Sequence, residues 1–82
     1  MDEIKEIHIE ERMLEITMES DFQYDVSIGD NIKIETNDNI FIGVLTAINK
    51  FDIQLNTMQT IPYDEIRQIT YTWERKINSF IK

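Results

Sequence analysis

The 82-residue chain contains few residues that could do chemistry. It has no cysteine, which excludes a disulfide framework, a thiolate zinc site and a cysteine nucleophile. His8 is the only histidine, and its neighbours Ile7 and Ile9 indicate an outward-facing position on an edge strand rather than a general base or a metal ligand. We therefore expect no catalytic residue, no metal site and no cofactor.

The acidic side chains give no sign of a catalytic or calcium site either. The carboxylate pairs at 10–11 and 64–65 are sequence neighbours expected on the surface, whereas carboxylate catalysis needs a concave site that excludes water. The Asn-Asp-Asn segment at 37–39 lacks the glycine and the distant glutamate of a calcium loop, and it favours a turn. We predict that the protein is not an enzyme.

The charge is distributed unevenly along the chain. The formal net charge is −8, yet residues 1–30 hold ten acidic and two basic side chains, whereas residues 31–82 are neutral. We interpret the acidic arm as a solvated face, with an acidic recognition surface as the alternative. Duplex DNA is not an expected partner, because binding it requires clustered Lys and Arg. The last sixteen residues carry a mild +3, which would suit the acidic arm of a neighbouring subunit.

Neither end of the sequence predicts export or membrane insertion. The N-terminus carries acids where a secretory signal would carry bases, and no apolar run approaches the roughly 18 residues that span a bilayer. We expect a cytoplasmic protein that does not bind membranes. A single domain of this length buries only about 60–65% of the surface of its unfolded chain, so self-association is a natural source of extra stability.

Hydrophobic periodicity in the arm favours strands. On a helix the apolar residues of 4–18 would lie on opposite sides and leave no polar face. In a β-strand, alternate residues face the same side of the sheet. The following apolar residues are all at even-numbered positions, as this alternation requires: Leu14, Ile16, Met18, Phe22, Tyr24, Val26 and Ile28. We predict strands near 4–10 and 13–19, while an N-terminal helix is the competing interpretation because Glu, Met and Leu favour helices.

Turn residues divide the rest of the chain into short strands. We predict turns at 27–30 and 37–39, strands at 31–36, 40–49, 53–56, 61 and 67–73, and one helical turn at 63–65. Gly43 is expected to mark a bulge or a sharp bend in the longest strand. The predicted fold is all-β and forms a single domain: a five-stranded barrel over 26–73, with an acidic β extension at 1–25 and a C-terminal tail at 74–82 that contains a short helical turn.

The predicted barrel resembles the Sm-like branch of the small Src-homology-3-like barrels. Gly29, Ile32 and Ile34, followed by the turn at 37–39, match the first Sm motif, and the segment 43–45 looks like its Gly-x-Leu bend. The segment 61–69 resembles the second motif in outline. The resemblance implies a ring of subunits that pair their edge strands and bind single-stranded RNA near the pore.

The positions that contact RNA in that family match less well. The base-binding loop reads Asn49-Lys50-Phe51 here, and the Arg-Gly pair of the second motif falls on Pro62-Tyr63. The resemblance therefore gives Asn49, Lys50, Phe51 and Tyr63 as candidate contacts to nucleic acid or to a partner. Both aromatic rings can stack on a base, but we favour packing at the core or rim of the barrel.

Two further features concern protein partners. The glycine-containing strand, the segment 47–50, the short apolar strand and the segment 61–66 are together also similar to the YolD-like proteins of low-GC bacteria and their phages, over roughly thirty residues, which implies an accessory protein of a DNA polymerase. Trp73, Ile77, Phe80 and Ile81 follow the i, i+4, i+7, i+8 spacing of an amphipathic helix, so they form a candidate docking tail, or else a cover for the open end of the barrel.

The leading hypothesis is a non-enzymatic, homo-oligomeric Sm-like module that binds proteins, and the alternative is a ring that binds RNA.

Overall fold

A computed structural model describes residues 2–72, which form eight β-strands and one 3₁₀ turn. The strands are β1 (Ile4–Ile9), β2 (Met13–Met18), β3 (Gln23–Ser27), β4 (Asn31–Thr36), β5 (Ile40–Ile48), β6 (Asp52–Leu55), β7 (Thr60–Pro62) and β8 (Ile66–Tyr71), and the 3₁₀ turn is Tyr63–Glu65. The all-β prediction is confirmed, and so is the preference for strands over an N-terminal helix. The candidate tail residues Trp73, Ile77, Phe80 and Ile81, and the helical turn predicted for them, lie outside the described residues.

The first three strands form an antiparallel sheet in the order β1-β2-β3. Period-two alternation directs Leu14, Ile16 and Val26 to the inner face, where they are fully buried. Phe22 has the same parity but is 63% exposed, because it follows a turn in which Asp21 adopts a φ of 71°. The parity prediction is therefore right for the strand residues and wrong for Phe22.

The other five strands form a second antiparallel sheet in the order β7-β6-β5-β4-β8. The long strand β5 serves two partners: the segment 40–44 pairs with β4, and the segment 45–48 pairs with β6. The irregularity predicted at Gly43 lies slightly later, between Leu45 and Ala47. Neither sheet closes on itself within residues 2–72, so the Sm-like barrel stays a prediction.

The two glycines are required for different reasons. Gly29 lies in the β3–β4 turn with a φ of +101°, a region that side-chain-bearing residues rarely adopt. A Cβ on Gly43 would lie 2.7 Å from Asn56 Oδ1, which accepts the Val44 N–H at 2.9 Å. Gly43 therefore permits a close approach between β5 and the turn that follows β6.

One hydrophobic core lies between the two sheets. It contains residues of both sheets, all of them apolar: Leu14, Ile16, Met18, Val26, Ile32, Ile34, Leu45, Ile53, Leu55, Ile61, Ile66 and Ile69. The inward orientation predicted for Ile32 and Ile34 is confirmed, since both are fully buried. The described part of the chain contains no helix that is long and apolar enough to cross a membrane.

The N-terminal sheet is attached to the last strand of the other sheet. The Tyr24 hydroxyl donates to the Ile69 carbonyl, and the Tyr71 hydroxyl donates to the Asp25 carbonyl. At the other end of β8, the Arg67 guanidinium pairs with the Glu3 carboxylate at 2.5 Å. These contacts cover the side of β8 that faces away from β4.

Candidate interaction surfaces

The four contact residues predicted from the sequence lie together at the turn between β5 and β6. The Tyr63 hydroxyl donates to the Asn49 carbonyl at 2.7 Å, and the Tyr63 N–H donates to the Phe51 carbonyl at 3.1 Å. Asn49 Nδ2 also donates to Asp52 Oδ1 at 2.9 Å. Tyr63 thus holds the turn in place and brings Asn49, Lys50 and Phe51 to the surface.

The two aromatic residues of this turn differ in exposure. Phe51 is 72% exposed, and the Lys50 Nζ lies 5.4 Å from its ring centroid, within the range of a cation–π contact. Tyr63 is half-buried. Burial, and then the charge of Asp52, raises the pKa of Tyr63 to about 12, so its hydroxyl remains a donor at neutral pH. An exposed ring beside a cation can contact a base or an apolar side chain.

The first half of β5 has an unpaired edge. The Leu45 N–H donates to the Asp30 carbonyl at 2.9 Å, so the backbone groups of Leu45 point toward β4. In an antiparallel strand, the N–H and C=O groups of successive residues point to alternate sides, so those of the even-numbered β5 residues point the other way. The N–H and C=O groups of Ile40 and Ile42 therefore point away from β4, and no strand among residues 2–72 pairs with them there. The backbone groups of Val44 also point away from β4, but they are paired: its N–H donates to Asn56 Oδ1, and its carbonyl accepts the Asn56 N–H.

The side chains at this edge are apolar and exposed. Ile40 is 61% and Ile42 is 57% exposed, and their neighbours across the strand pair are Glu35 and Lys33, which form an ion pair at 3.5 Å. We call the segment from Ile40 to Ile42 the open β5 edge. The sequence does not predict this edge, because β5 is apolar on both faces and its hydrophobic pattern does not tell which face contacts the core.

A groove runs between β3 and β8. Its volume is about 470 Å³, and its apolar wall consists of Met18, Phe22, Tyr24, Ile69 and Tyr71. The exposed ring of Phe22 lies 5.7 Å from the ring of Tyr24, centroid to centroid. Burial raises the pKa of Tyr24 and Tyr71 above the ordinary value, so both hydroxyls are neutral donors at physiological pH. We call this feature the β3–β8 groove.

The outer face of the N-terminal sheet carries a charged cluster. His8 lies on the edge strand β1 and is exposed, as predicted, and its Nε2 atom lies 2.7 Å from Glu10 Oε2. Ligand atoms of His8, Glu10 and Glu15 lie within 4.8 Å of one another, and all three side chains are exposed. Because water reaches each of them and His8 already pairs with Glu10, the arrangement amounts to a surface charge cluster.

Comparisons with protein-family models, with curated proteins and with solved structures give no match to this chain.

Proposed function

We propose that the protein is a non-enzymatic interaction module that binds protein partners, a second copy of itself first among them, through the open β5 edge. The observation that supports this is the combination of outward backbone groups and exposed side chains at Ile40 and Ile42. Such an edge is a template for an added strand, and monomeric proteins usually protect it with lysine, proline or a covering segment. This edge carries isoleucines instead.

Self-pairing at this edge is energetically reasonable. Two copies that align the segment 40–42 antiparallel would form about four backbone hydrogen bonds across a twofold axis, each contributing roughly 0.5–1.5 kcal/mol. The four isoleucine side chains would be partly removed from water at the same time. Because a domain of this size has a small core and a small stability margin, burial of these side chains is a large addition to its stability.

The Sm-like barrel is the finer fold that we propose for β4–β8. The five strands predicted for the barrel lie in one sheet, in the order β7-β6-β5-β4-β8. The helical turn predicted before the last strand is the 3₁₀ turn Tyr63–Glu65. In this family, neighbouring subunits pair edge strands. Here Tyr24 already bonds to the carbonyl of Ile69 on the outer side of β8, which favours the open β5 edge as the place for self-association.

Replacing Ile42 by lysine tests the proposal. A lysine at the open β5 edge adds like charges across the twofold axis and removes apolar contact, so we expect Ile42→Lys to be monomeric when the wild type is a dimer or larger. Met58→Lys is the matched control, because Met58 is 79% exposed but lies in the turn after β6. Light scattering at tens of micromolar gives the mass of each protein, and circular dichroism checks that each is folded.

Two results contradict this proposal. If the wild type is a monomer at that concentration, the proposal that the protein self-associates is rejected. An oligomer that survives Ile42→Lys but dissociates with Met58→Lys assigns the interface to the turn after β6 instead.

Binding of single-stranded RNA is a second candidate, supported by the exposed Phe51 ring and its Lys50 neighbour. Base stacking on an aromatic ring contributes about 1–3 kcal/mol, so Phe51→Ala should weaken binding at least fivefold. Fluorescence anisotropy with labelled oligo-U and oligo-A at low salt measures it, with Phe22→Ala as the exposed-aromatic control. No anisotropy change with the wild type rejects this candidate.

A further inference from the structure

The β3–β8 groove is an apolar surface on the seam between the two sheets. Its volume of about 470 Å³ falls within the roughly 300–1,000 Å³ of clefts that hold a ligand. Phe22 lines the groove with 63% of its surface exposed, and its ring lies 5.7 Å from the ring of Tyr24. Exposed aromatic rings in an apolar cleft are typical of a surface that contacts a partner.

An acidic residue lies at each end of this groove. Asp2 lies in the groove wall, where its carbonyl accepts a hydrogen bond from Gln68 Nε2. Asp30 lies near the other end, with its Oδ2 atom 3.4 Å from the Tyr71 hydroxyl. The two positions that they contact on β8 are three residues apart, about 10 Å along a strand.

The charges of these two residues act on the tyrosines of the groove. Burial raises the pKa of Tyr24, and the charge of Asp2 acts in the same direction. Burial also raises the pKa of Tyr71, and the charge of Asp30 raises it further. The groove therefore combines an apolar wall with a negative potential at both ends.

Neither carboxylate has a basic partner in the part of the chain that the structure describes. The Asp2 carboxylate accepts the Ser20 N–H at 3.0 Å and the Ser20 hydroxyl at 2.6 Å, and the Asp30 carboxylate accepts the Ser27 N–H at 2.7 Å. The ion pairs among residues 2–72 join other residues: Lys5 with Asp21, His8 with Glu10, Lys33 with Glu35, and Arg67 with Glu3. Neutral donors thus hold both carboxylates in place and leave their charge available to a cation from outside.

We propose that the β3–β8 groove binds a basic segment of a partner protein in which an aromatic side chain lies between two lysine or arginine residues. The aromatic side chain packs on Phe22 and Tyr24, and the two cations pair with Asp2 and Asp30. In an extended segment, a base, an aromatic residue and a second base at alternate positions share one side and span about 13 Å, so their long side chains reach both ends of the groove.

The segment binds through its side chains rather than as an added strand. The Ile69 carbonyl, which points away from β4, already accepts the Tyr24 hydroxyl. An added strand on β8 would have to break this bond. The groove is also a different surface from the open β5 edge, so the two proposals stand or fall separately.

A peptide titration followed by NMR tests the assignment. The probe is acetyl-Lys-Leu-Phe-Leu-Lys-amide, added to isotope-labelled protein that carries Ile42→Lys, which separates this test from self-association. We expect saturable shifts of the amide signals of Phe22, Tyr24 and Ile69. Two matched peptides, Lys-Leu-Ser-Leu-Lys and Glu-Leu-Phe-Leu-Glu, should bind at least about tenfold more weakly, because one lacks the ring and the other carries the wrong charge.

Two variants and two controls locate the site. Phe22→Ala should weaken binding of the probe about tenfold, and Asp2→Asn about two- to fivefold, as expected for an exposed ion pair. Phe51→Ala and Asp38→Asn make the same changes at exposed residues outside the groove and should leave the affinity unchanged. Circular dichroism checks that each variant is folded.

Four results overturn the proposal. The probe produces no shifts near the groove at several millimolar, or the serine peptide binds as tightly as the probe, which leaves only charge attraction. Phe22→Ala and Phe51→Ala weaken binding equally, which places the peptide elsewhere. Affinity that falls as the protein concentration rises shows that a second copy of the chain occupies the groove.

Discussion

The contact between Gly43 and Asn56 gives a quantitative prediction. In Gly43→Ala the new Cβ would lie 2.7 Å from Asn56 Oδ1, which is closer than real Cβ atoms approach an oxygen. The Asn56 side chain must therefore move, and it then loses the hydrogen bond that it accepts from the Val44 N–H. The other nearby atoms, Leu55 Cβ and Thr57 Oγ1, lie at 3.5 Å and need not move.

The expected magnitude follows from two opposing effects. Losing the hydrogen bond costs about 0.5–1.5 kcal/mol of the free energy of unfolding. Replacing glycine by alanine lowers the conformational entropy of the unfolded chain, which raises the free energy of unfolding by about 0.4–1 kcal/mol. This gain applies here because Gly43 does not have a positive φ. The single variant should be neutral or destabilised by up to about 1 kcal/mol. In an Asn56→Ala background the hydrogen bond is already absent, so Gly43→Ala should be stabilising.

A double-mutant cycle measures this coupling. Urea unfolding of the wild type, Gly43→Ala, Asn56→Ala and the double variant, followed by circular dichroism, gives four free energies. We expect a coupling of about 1 kcal/mol between the two sites, since the single hydrogen bond sets it. If Gly43→Ala changes stability equally in both backgrounds, close approach to Asn56 is not the reason for the glycine.

The remaining predictions concern stability. Gly29→Ala should cost about 1–2 kcal/mol in urea unfolding because of its φ of +101°, and an unchanged midpoint would contradict a strained turn. Ile34→Ala should lower the free energy of unfolding in urea by about 2–5 kcal/mol because Ile34 is fully buried, whereas Phe51→Ala, at a residue that is 72% exposed, should lower it far less, and equal losses would contradict the inward orientation of Ile34. Because the pKa of Tyr63 is raised to about 12 in the folded protein, that protein binds the phenolic proton more tightly than the unfolded chain does, so stability should fall as pH rises from 10 to 12. Tyr63→Phe should show a shallower fall across the same range in pH-dependent urea unfolding, and an identical profile would argue against the burial of this hydroxyl.

The positions of the strands followed from local signals. Alternation in 13–18 and 31–36, and turn residues at 27–30 and 37–39, gave strand ends within about two residues of those in the structure, because period and turn chemistry act over short distances. The Sm-like resemblance gave Asn49, Lys50, Phe51 and Tyr63 as candidate contacts without predicting that the four residues lie together, and their role as contacts stays a prediction. Tyr63 lies beside the other three because the 3₁₀ turn brings the residue after β7 back to the β5–β6 turn.

The surfaces that carry the proposals were not predictable in this way. Both faces of β5 are apolar, so only the packing of Phe41 and Leu45 on the core reveals that Ile40 and Ile42 face outward. The exposure of Phe22 depends on the backbone of the preceding turn, where Asp21 has a positive φ. The orientation of β5 is decided by contacts between distant segments, and the exposure of Phe22 by a positive φ at a residue that is not glycine; hydrophobic alternation encodes neither.

The attachment of the N-terminal sheet to β8 has a consequence for synthesis of the chain. Glu3 and Arg67 pair across 64 positions, and Tyr24 reaches Ile69 across 45. Translation proceeds at roughly 5–20 residues per second, so β1–β3 wait several seconds for the strand on which they dock. During that interval the inner face of Leu14 and Ile16 has no cover. Since like net charge opposes association, we expect the acidic excess in the first thirty residues to limit contact between the uncovered apolar faces of two unfinished chains.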